Sequence, residues 1–403
     1  MTSIVVVIVS LALQGACSAE SPDVRETVLQ LGSDDSRERC DAAELLATIR
    51  EPMVVPALRT QLATEADFHV SLALNYAIAA HGNRSNLQFL IDALSHKGHL
   101  GVVYLRRATG EDFNWDRAGW QSWFDRTSDN AFATFIQRRW ERKPMMEEFS
   151  RFSILYTAQA FGSVSEFNET EDKFVSRPMW ENEKKELDSL PTAKAWALFQ
   201  SATQRLQDKG DRVEAVRLLR QLVNDYPDTY YTDTAAELAD QLDQMIREDK
   251  EFTAPDSIDS LPIERQIEVH IHNLRDVIAH QRMQPGYCSI FSQLRFDDET
   301  YNAAYALRDI GEPAIPRLID LLEDRRPIRA IGYWRSFLPT RTVLRYQDAA
   351  IQIINEVRSE QSYRSQTTSS YFSNEKPSVR QEIIVELRKS VSKSSLSEDN
   401  TKP

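Results

Sequence analysis

Two segments of this chain, 261 positions apart, contain the same pattern of small, apolar and proline residues. The first copy consists of Ala42, Ala43, Leu46, Ile49, Glu51 and Pro52, and the second of Ala303, Ala304, Leu307, Ile310, Glu312 and Pro313. A second proline follows each copy, with leucine two and six residues after it. The apolar positions have helical spacing and the prolines interrupt the helix, so the pattern predicts one helix–turn–helix unit that occurs twice.

The composition favours an all-α fold. The chain has 403 residues, enough for several domains or one extended array, but only 12 glycines. Few runs alternate apolar with polar residues, which disfavours β-sandwiches, barrels and glycine-rich nucleotide-binding folds. The net charge of −13 argues against nucleic acid as the main ligand, because phosphate contacts need a basic face.

The N-terminus has the pattern of an export signal. Residues 4–13 are apolar, and residues 14–19 are mostly small. A helix of that length spans about 15 Å, half of a hydrocarbon core, so the pattern predicts a signal peptide over residues 1–19 that is cleaved after Ala19. Two alternatives stay open, namely a lipid anchor at Cys17 and an uncleaved anchor. All three place the protein outside the cytoplasm, in the periplasm, in the medium or attached to the envelope.

Only Cys40 and Cys288 remain after cleavage of such a signal. Two cysteines do not make a disulfide framework, and the sequence cannot show that their Cα atoms approach within about 7 Å. Two separate buried thiols are expected, with a disulfide as the alternative.

Residues 20–128 predict stacked pairs of short helices. Alanines in the first helix of each pair allow close packing, and leucines in the second form an inner wall. Neither pair can bury its apolar face alone, so the pairs must stack. These residues resemble HEAT repeats of exported bacterial proteins, and the resemblance implies an α-solenoid. The second pair is expected to bury Leu72, Ala73, Tyr76, Ala77, Ala80, Leu87, Leu90, Ile91 and Leu94.

An aromatic cluster ends this block. Trp120, Trp123 and Phe124 lie at i, i+3 and i+4, on one face of a predicted helix. A cap that closes the end of the repeat stack is the favoured interpretation, and an aromatic ligand platform is the alternative. Residues 129–190 are then expected to form one helix, over residues 131–142, and a polar, acidic, loop-rich linker.

Residues 191–250 have a different helical pattern. A glycine, three apolar residues and a proline occur at fixed intervals, as Gly210, Ala215, Leu219, Leu222 and Pro227. Phe199, Ala202 and Leu206 precede them at helical spacing. The spacing resembles that of a tetratricopeptide (TPR) repeat, although Thr203 and Leu206 stand where that family prefers glycine and tyrosine. One such hairpin is too small to be stable alone and must dock on its neighbours.

Residues 260–358 return to the HEAT-like pattern. A long helix is predicted over residues 262–280, followed by the second copy of the repeated motif and a last helix over residues 341–357. Residues 359–403 are rich in Ser, Gln and Lys and predict a disordered, mobile tail. An amphipathic stretch within the tail, at positions 379–391, is expected to fold onto a partner or onto the end of the array.

The histidines argue against a metal site. His270 and His272 lie two apart on the predicted helix, so their side chains point about 200° apart. His270 falls on the apolar face with Ile267, as a core histidine would. His96 and His99 flank a glycine without a nearby cysteine or third histidine, which zinc would need. No metal, cofactor or catalytic residues are predicted.

One basic run locally reverses the negative charge of the chain. Residues 325–345 contain six arginines, no acidic residue and several aromatic residues. Guanidinium groups beside aromatic rings suit carboxylates, phosphates or anionic glycans. The alternative is that these arginines pair with acidic residues of adjacent repeats, such as Glu323, Asp324 and Asp348. The candidate binding residues are Arg325, Arg326, Arg329, Trp334, Arg335, Arg341 and Arg345.

These observations predict an all-α solenoid in which two HEAT-like blocks flank a TPR-like insert. The expected function is a non-enzymatic scaffold for protein–protein interaction, exported to the periplasm or cell envelope, with a protein partner and no nucleic acid. The alternative is a lyase- or hydrolase-like enzyme of helical-repeat or helical-toroid type that acts on an envelope glycan or peptide. Such an enzyme would need a cleft with convergent acidic or histidine side chains.

Overall fold

The computed structural model describes residues 23–96, 99–168, 173–281, 288–291, 302–332, 339, 341–358 and 371–399. Helices dominate this part of the chain, and strands occur in it only as three two-stranded hairpins. The predicted all-α, helical-repeat fold is confirmed. The chain divides into two compact units, Met1–Met146 and Glu147–Pro403. The expected signal peptide, with Cys17, lies outside the described residues.

The first unit is built around one buried helix. Its helices are α1 (Val24–Gln30), α2 (Ser36–Leu46), α3 (Val54–Leu62), α4 (Phe68–Ala80), α5 (Asn86–Ala93), α6 (His99–Thr109), α7 (Arg117–Arg126) and the first part of α8 (Asp129–Phe161). Helix α4 packs against α2, α3, α5 and α6. Each of its residues from Val70 to Ala80 is buried, so α4 is the centre of this core.

Both copies of the repeated motif fold as helix–turn–helix units. In the first copy, Asp35 caps α2 by accepting the N–H of Arg37, and the Glu51-Pro52 turn leads into α3. In the second copy, Asn302 caps the equivalent helix by accepting the N–H of Ala304. The alanine pair and the leucine of both copies are buried, which agrees with a role in packing. The residues concerned are Ala42, Ala43, Leu46, Ala303, Ala304 and Leu307.

The aromatic cluster of the first unit belongs to its core. Trp120 on α7 is fully buried and donates its indole N–H to the carbonyl of Asn114 at 2.9 Å. Trp123 and Phe124 are partly buried and pack against the same core. This burial favours the cap over the ligand platform.

The second unit contains more irregular structure. Its helices are the end of α8, α9 (Glu181–Ser189), α10 (Pro191–Lys209), α11 (Arg212–Asp225), α12 (Thr232–Glu251), α13 (Ile263–Asn273), α14 (Ala303–Ile310), α15 (Ile315–Asp320), α16 (Tyr346–Arg358) and α17 (Pro377–Asp399). Its strands are β1 (Ser163–Asn168), β2 (Lys173–Pro178), β3 (His280–Gln281), β4 (Cys288–Ser289), β5 (Pro327–Gly332) and β6 (Thr342–Arg345), paired β1–β2, β3–β4 and β5–β6.

Helices α10, α11 and α12 pack consecutively in the region with the TPR-like spacing. Gly210 ends α10 in the left-handed conformation at φ +62°, where its N–H binds the carbonyl of Leu206 at 3.0 Å. Asp211 then caps α11 by accepting the N–H of Glu214. The apolar residues of the pattern are buried, namely Phe199, Ala202, Leu206, Ala215, Leu219 and Leu222.

The structure differs from the prediction between residues 129 and 190. Helix α8 continues through Pro144 to Phe161, past the predicted end at residue 142. Phe152 and Leu155, beyond the proline, are buried, and their packing outweighs the local cost of a proline in a helix. The expected loop-rich stretch over residues 162–188 contains the β1–β2 hairpin and α9.

The structure also differs from the expectation of a disordered tail over residues 371–391. Helix α17 packs against α15, with Ile384 and Leu387 buried, so the amphipathic stretch folds onto the array. Before it, the Tyr371 ring occupies the space that a side chain at Gly332 would fill, because a Cβ there would clash with the tyrosine ring and hydroxyl. The Tyr371 hydroxyl accepts the backbone N–H of Cys288 at 3.2 Å.

Two further observations concern thiols and membranes. Cys40 is partly buried in the first unit and Cys288 is buried in the second, and neither forms a disulfide. Across the described ranges, no helix is both long enough and apolar enough to cross a membrane.

Candidate functional site

The basic run forms an antiparallel hairpin in the second unit. Strand β5 pairs with β6 in the register Pro327 to Arg345 and Gly332 to Thr342, with a bulge between Pro327 and Ile331. The described arginines of the run lie in or beside these strands. We call this element the arginine hairpin, comprising Arg325, Arg326, Arg329, Arg341 and Arg345. Trp334 and Arg335 lie outside the described residues.

Two arginines of the hairpin contact α10. Arg329 donates to the backbone carbonyls of Gln207 and Asp208, both at 2.7 Å, in the last turn of that helix. A cation is favourable there because the last carbonyls of a helix lack backbone donors and have partial negative charge. Arg341 donates to the Thr203 hydroxyl at 3.4 Å, and its guanidinium lies 5.8 Å from the ring centre of Trp196.

Two others contact α12. Arg325 pairs with Glu237 at 3.0 Å, and Arg345 lies 3.8 Å from the same carboxylate. Arg345 also donates to the side chain of Gln241 and, at 2.7 Å, to the carbonyl of Arg325. The Arg325 side chain is 60% exposed and that of Arg345 is 12% exposed, so only Arg325 presents most of its surface to solvent.

The fifth arginine belongs to a partly buried ionic cluster. Arg326 pairs with Asp324 at 2.6 Å and with Glu248 on α12 at 2.7 Å. Glu248 also pairs at 3.0 Å with Arg275, whose side chain is only 3% exposed and which also pairs with Asp249. Arginine suits such a position because its planar group binds several acceptors at once. We call Arg275, Arg326, Glu248, Asp249 and Asp324 the ionic cluster.

His272 lies beside this cluster. Its ring stacks on Phe252 at 3.5 Å, and its Nε2 lies 3.6 Å from the carboxylate of Asp249. Burial lowers the pKa of His272 to about 4, and the positive charge of Arg275 adds to the shift. His270 is buried, as its position on the apolar face predicts. Helix α13 ends at Asn273 and not at residue 280, because the His272 carbonyl accepts from Arg275 and from the Tyr346 hydroxyl.

The described arginines of the basic run therefore have partners within the second unit. This agrees with the alternative interpretation of the sequence, in which these arginines pair with residues of adjacent repeats. Most of the acidic partners differ from those that were expected. Asp324 pairs as expected, whereas Glu323 pairs with Arg388 at 3.0 Å. Asp348 is fully buried and accepts the backbone N–H groups of Arg345 and Ser373, both at 2.8 Å. Ligand binding by the hairpin stays a prediction.

A second basic element was not identified from the sequence as a site. On α8, three donors lie within about 100° of one another and reach the carboxyl ends of three other helices. Arg139 donates to the carbonyl of Arg107 on α6, and Lys143 donates to the carbonyl of Thr48, just after α2, at 2.7 Å. Trp140 donates its indole N–H to the carbonyl of Ala80 on α4 at 3.2 Å. We call Arg139, Trp140 and Lys143 the capping face of α8.

The sequence contains a signal for this face. Residues 138–143 include four cations and a tryptophan within one helical segment. Since helix carboxyl ends attract cations, such a segment next to several short helices indicates capping. The charge alone cannot show which carbonyls it reaches.

Two further features bear on the candidate site, namely potential metal ligands and an open cleft. Within it, no group of three or more His, Cys, Asp or Glu side chains could hold a metal ion. One open cleft of about 390 Å³ lies in the first unit, and its one carboxylate, Asp129, pairs with Arg84 at 2.5 Å. Its lining residues are Gly82, Asn83, Arg84, Ser85, Asp129, Asn130 and Ala133. The side chains of His96 and His99 lie outside the described part.

Comparison with known proteins identifies one repeat. A search of curated proteins finds no match to this chain. Residues 301–324 match the family model of the PBS lyase HEAT-like repeat. The matched segment contains the second copy of the repeated motif, with α14 and α15. The chain therefore contains a HEAT-like repeat in its second unit, within an all-α protein.

Proposed function

We propose that this protein is a non-enzymatic scaffold, exported to the periplasm or cell envelope, that binds a protein partner. The HEAT-like repeat at residues 301–324 supports this proposal most strongly. Repeats of this kind are typical of interaction scaffolds, because stacked helix pairs present extended surfaces on a rigid framework. Helices α2 and α3 of the first unit have buried alanines and a buried leucine at the same positions of the motif. A second region of the chain therefore also supports the scaffold.

The export part of the proposal depends on the N-terminal sequence. The apolar run at residues 4–13 and the small residues after it are typical of a secretory signal. Cleavage after Ala19 would release the chain, whereas acylation of Cys17 would attach it to the envelope. Mass spectrometry of the N-terminus after expression in a bacterial host distinguishes the two. A cytoplasmic chain that begins at Met1 would contradict export.

The arginine hairpin is a candidate contact for the partner. Arg325 is the most exposed of its ion-paired arginines, and a carboxylate of a partner could compete with Glu237 for it. Arg326, Arg329 and Arg345 hold structural contacts and are poor choices for a test. Capture of the partner by an Arg325→Glu variant at wild-type level would exclude this contact.

The proposed function is tested by affinity capture with the mature chain from an envelope extract. A protein that co-purifies in stoichiometric amount, and that binds again when both proteins are purified, supports a scaffold. The same purified chain is offered panels of envelope glycans and peptides as substrates. Turnover of any of these without a stoichiometric partner would replace the scaffold proposal with the enzyme alternative.

A further inference from the structure

In the described part of the first unit, two pairs of tyrosine and arginine side chains lie side by side, and one of them holds a carboxylate. On α6, the Tyr104 hydroxyl donates to Glu44 at 2.7 Å, and Arg107 pairs with the same carboxylate at 2.9 Å. The Tyr76 ring of α4 stacks on that of Tyr104, with ring centres 4.8 Å apart and planes 9° apart. The second pair consists of Tyr76 and Arg139.

Tyr76 brings an unused hydroxyl to this place. The residue is only 7% exposed, yet within the described part of the chain its hydroxyl makes no hydrogen bond. Burial raises the pKa of Tyr76, and the positive charges of Arg139 and Arg107 oppose this rise. The hydroxyl therefore stays protonated at neutral pH and can donate. Since polar groups of buried residues are usually hydrogen-bonded, this donor is a natural contact for a ligand.

Arg139 supplies a guanidinium with free donors. It is exposed on α8 and donates to the backbone carbonyl of Arg107, which is a neutral acceptor. Among the described residues, no carboxylate forms an ion pair with Arg139. A guanidinium has five N–H donors, so one carbonyl leaves most of them for a ligand.

The charges that act on the Tyr76 hydroxyl favour a monoanion. They are the guanidinium groups of Arg107 and Arg139 and the carboxylate of Glu44, which together leave one positive charge in excess. A monoanion neutralises this excess, whereas Glu44 repels a dianion such as phosphate more strongly. The first pair shows which group such donors hold, because Glu44 is a carboxylate bound by a tyrosine hydroxyl and an arginine.

We infer that the first unit binds a carboxylate group, which accepts hydrogen bonds from the hydroxyl of Tyr76 and the guanidinium of Arg139. We call these two residues the carboxylate site. Arginine suits this ligand because it can donate two parallel hydrogen bonds to a carboxylate. The inference goes beyond the scaffold function, since the carboxylate can belong to a free small molecule as well as to a side chain of a protein segment.

The binding test uses the full chain and 4-fluorobenzoate, a monoanionic carboxylate that ¹⁹F NMR detects directly. The linewidth of its signal during titration with the protein measures the affinity. Tyr76→Phe is expected to weaken binding about fivefold, because it removes one hydrogen-bond donor. The same substitution should leave the midpoint of urea unfolding unchanged, since the hydroxyl makes no hydrogen bond to the described residues.

Arg139→Gln removes the charge but keeps a donor for the Arg107 carbonyl, and it is expected to weaken binding about tenfold or more. Its matched control is Arg138→Gln, the same change at an exposed neighbour about 100° away around α8. Tyr226→Phe, at a partly buried tyrosine of the second unit, is the control for Tyr76→Phe. Circular dichroism confirms that each variant is folded. Losses in the controls as large as those in the site variants would overturn the inference.

Competition identifies the ligand. Displacement of 4-fluorobenzoate by acetate at lower concentration than by inorganic phosphate supports a carboxylate, and the reverse order would overturn that choice. A capped peptide with one glutamate, compared with its glutamine counterpart, distinguishes the sources. Stronger competition by the glutamate peptide than by acetate assigns the site to a protein segment, and weaker competition assigns it to a free small molecule.

The neutral analogue 4-fluorobenzamide tests the requirement for charge. Absence of 4-fluorobenzoate binding, or equal binding of the amide, would overturn the inference. Neither result bears on the scaffold proposal, because affinity capture of a partner tests that proposal separately.

Discussion

The capping face of α8 and the arginine hairpin both place donor side chains on neighbouring helices, but their acceptors differ. In the first unit, Arg139, Trp140 and Lys143 donate to neutral backbone carbonyls. In the second unit, Arg329 does the same, whereas Arg325 and Arg326 pair with carboxylates. The first arrangement compensates partial charges near solvent, and the second holds full charges partly out of water.

This difference determines what each region loses when one side chain is removed. A donor on a helix carbonyl contributes about 1 kcal/mol, because water can replace it. Removal of one partner from a buried ion pair costs more, since the remaining charge keeps its desolvation penalty. The second unit is therefore expected to be the more sensitive to single substitutions among its charged residues.

The largest effect is expected from Arg275, the most buried member of the ionic cluster. Arg275→Ala removes one partner from Glu248 and Asp249, which keep Arg326 and Arg212, so the free energy of unfolding of the second unit should fall by about 2–3 kcal/mol. Hydrogen exchange of peptides from α12, followed by mass spectrometry, measures the loss locally. The exposed pair of Arg317 and Glu268 supplies the control, because Arg317→Ala should cost less than about 1 kcal/mol. Equal losses of protection would refute the contrast.

Acid should destabilise the two units over different pH ranges. The folded pKa of His272 is about 4, below its ordinary 6.5, so its contribution is complete above pH 6.5 and is lost as the pH falls towards 4. In the first unit, hydrogen bonds from Arg39 lower the pKa of Glu65 from 4.5 to about 2. The contribution of Glu65 is complete above pH 4.5 and is lost as the pH falls towards 2.

Solvent screening limits each of these contributions to about 1–2 kcal/mol. Urea unfolding across both pH ranges measures them. His272→Phe, which keeps a ring on Phe252, should flatten the upper range only, and Glu65→Gln the lower range only. If both variants kept the pH profile of the wild type, these side chains would not be the groups responsible.

A smaller effect is expected from the capping face. Trp140→Phe keeps an aromatic ring in place but removes the N–H that binds the Ala80 carbonyl, which should cost about 1 kcal/mol. Urea unfolding, with hydrogen exchange of α4 peptides, reports the change. Trp123→Phe is the matched control, because Trp123 is also partly buried and its indole N–H contributes to no helix cap described above. A loss in the control as large as that in Trp140→Phe would assign the effect to ring size.

The smallest stability effect is expected at Arg325, whose side chain is mostly exposed. Arg325→Gln should change the free energy of unfolding by less than about 0.5 kcal/mol, and by less still at high salt. Urea titrations at two salt concentrations check this. A change above about 1 kcal/mol would place Arg325 with the ionic cluster as a structural residue.

The helical pairs could be predicted from the sequence because their determinants are local. Buried alanines and leucines at helical spacing, an Asp or Asn cap and a proline turn specify both copies of the repeated motif. The hairpin β5–β6 could not be predicted in the same way. Its strands are stabilised by contacts with α10 and α12, more than 70 positions away in the chain, and its arginines therefore resembled a ligand site.

Because of tertiary contacts, two helices end at other residues than the sequence predicts. The His272 carbonyl, which a longer α13 would use for its own backbone, accepts from the Tyr346 hydroxyl 74 positions away. In α8, Pro144 suggested an end that the packing of Phe152 and Leu155 overrides. For the candidate site, the residue types in the sequence predicted charged contacts but not the partners in those contacts. The sequence does not show which carboxylates or carbonyls lie within reach of each arginine.

The buried position of the C-terminal segment has a consequence for synthesis. The last buried side chain in the core of the first unit is Ile136, so this unit can fold as soon as that residue has emerged from the ribosome or, for the exported chain, on the far side of the secretion channel. The second unit needs Tyr371, Phe372, Ile384 and Leu387, the last of which is made only near the end of translation. Until then its apolar surface stays accessible to chaperones, and a ribosome stalled before residue 371 would leave one finished unit attached to an incomplete one.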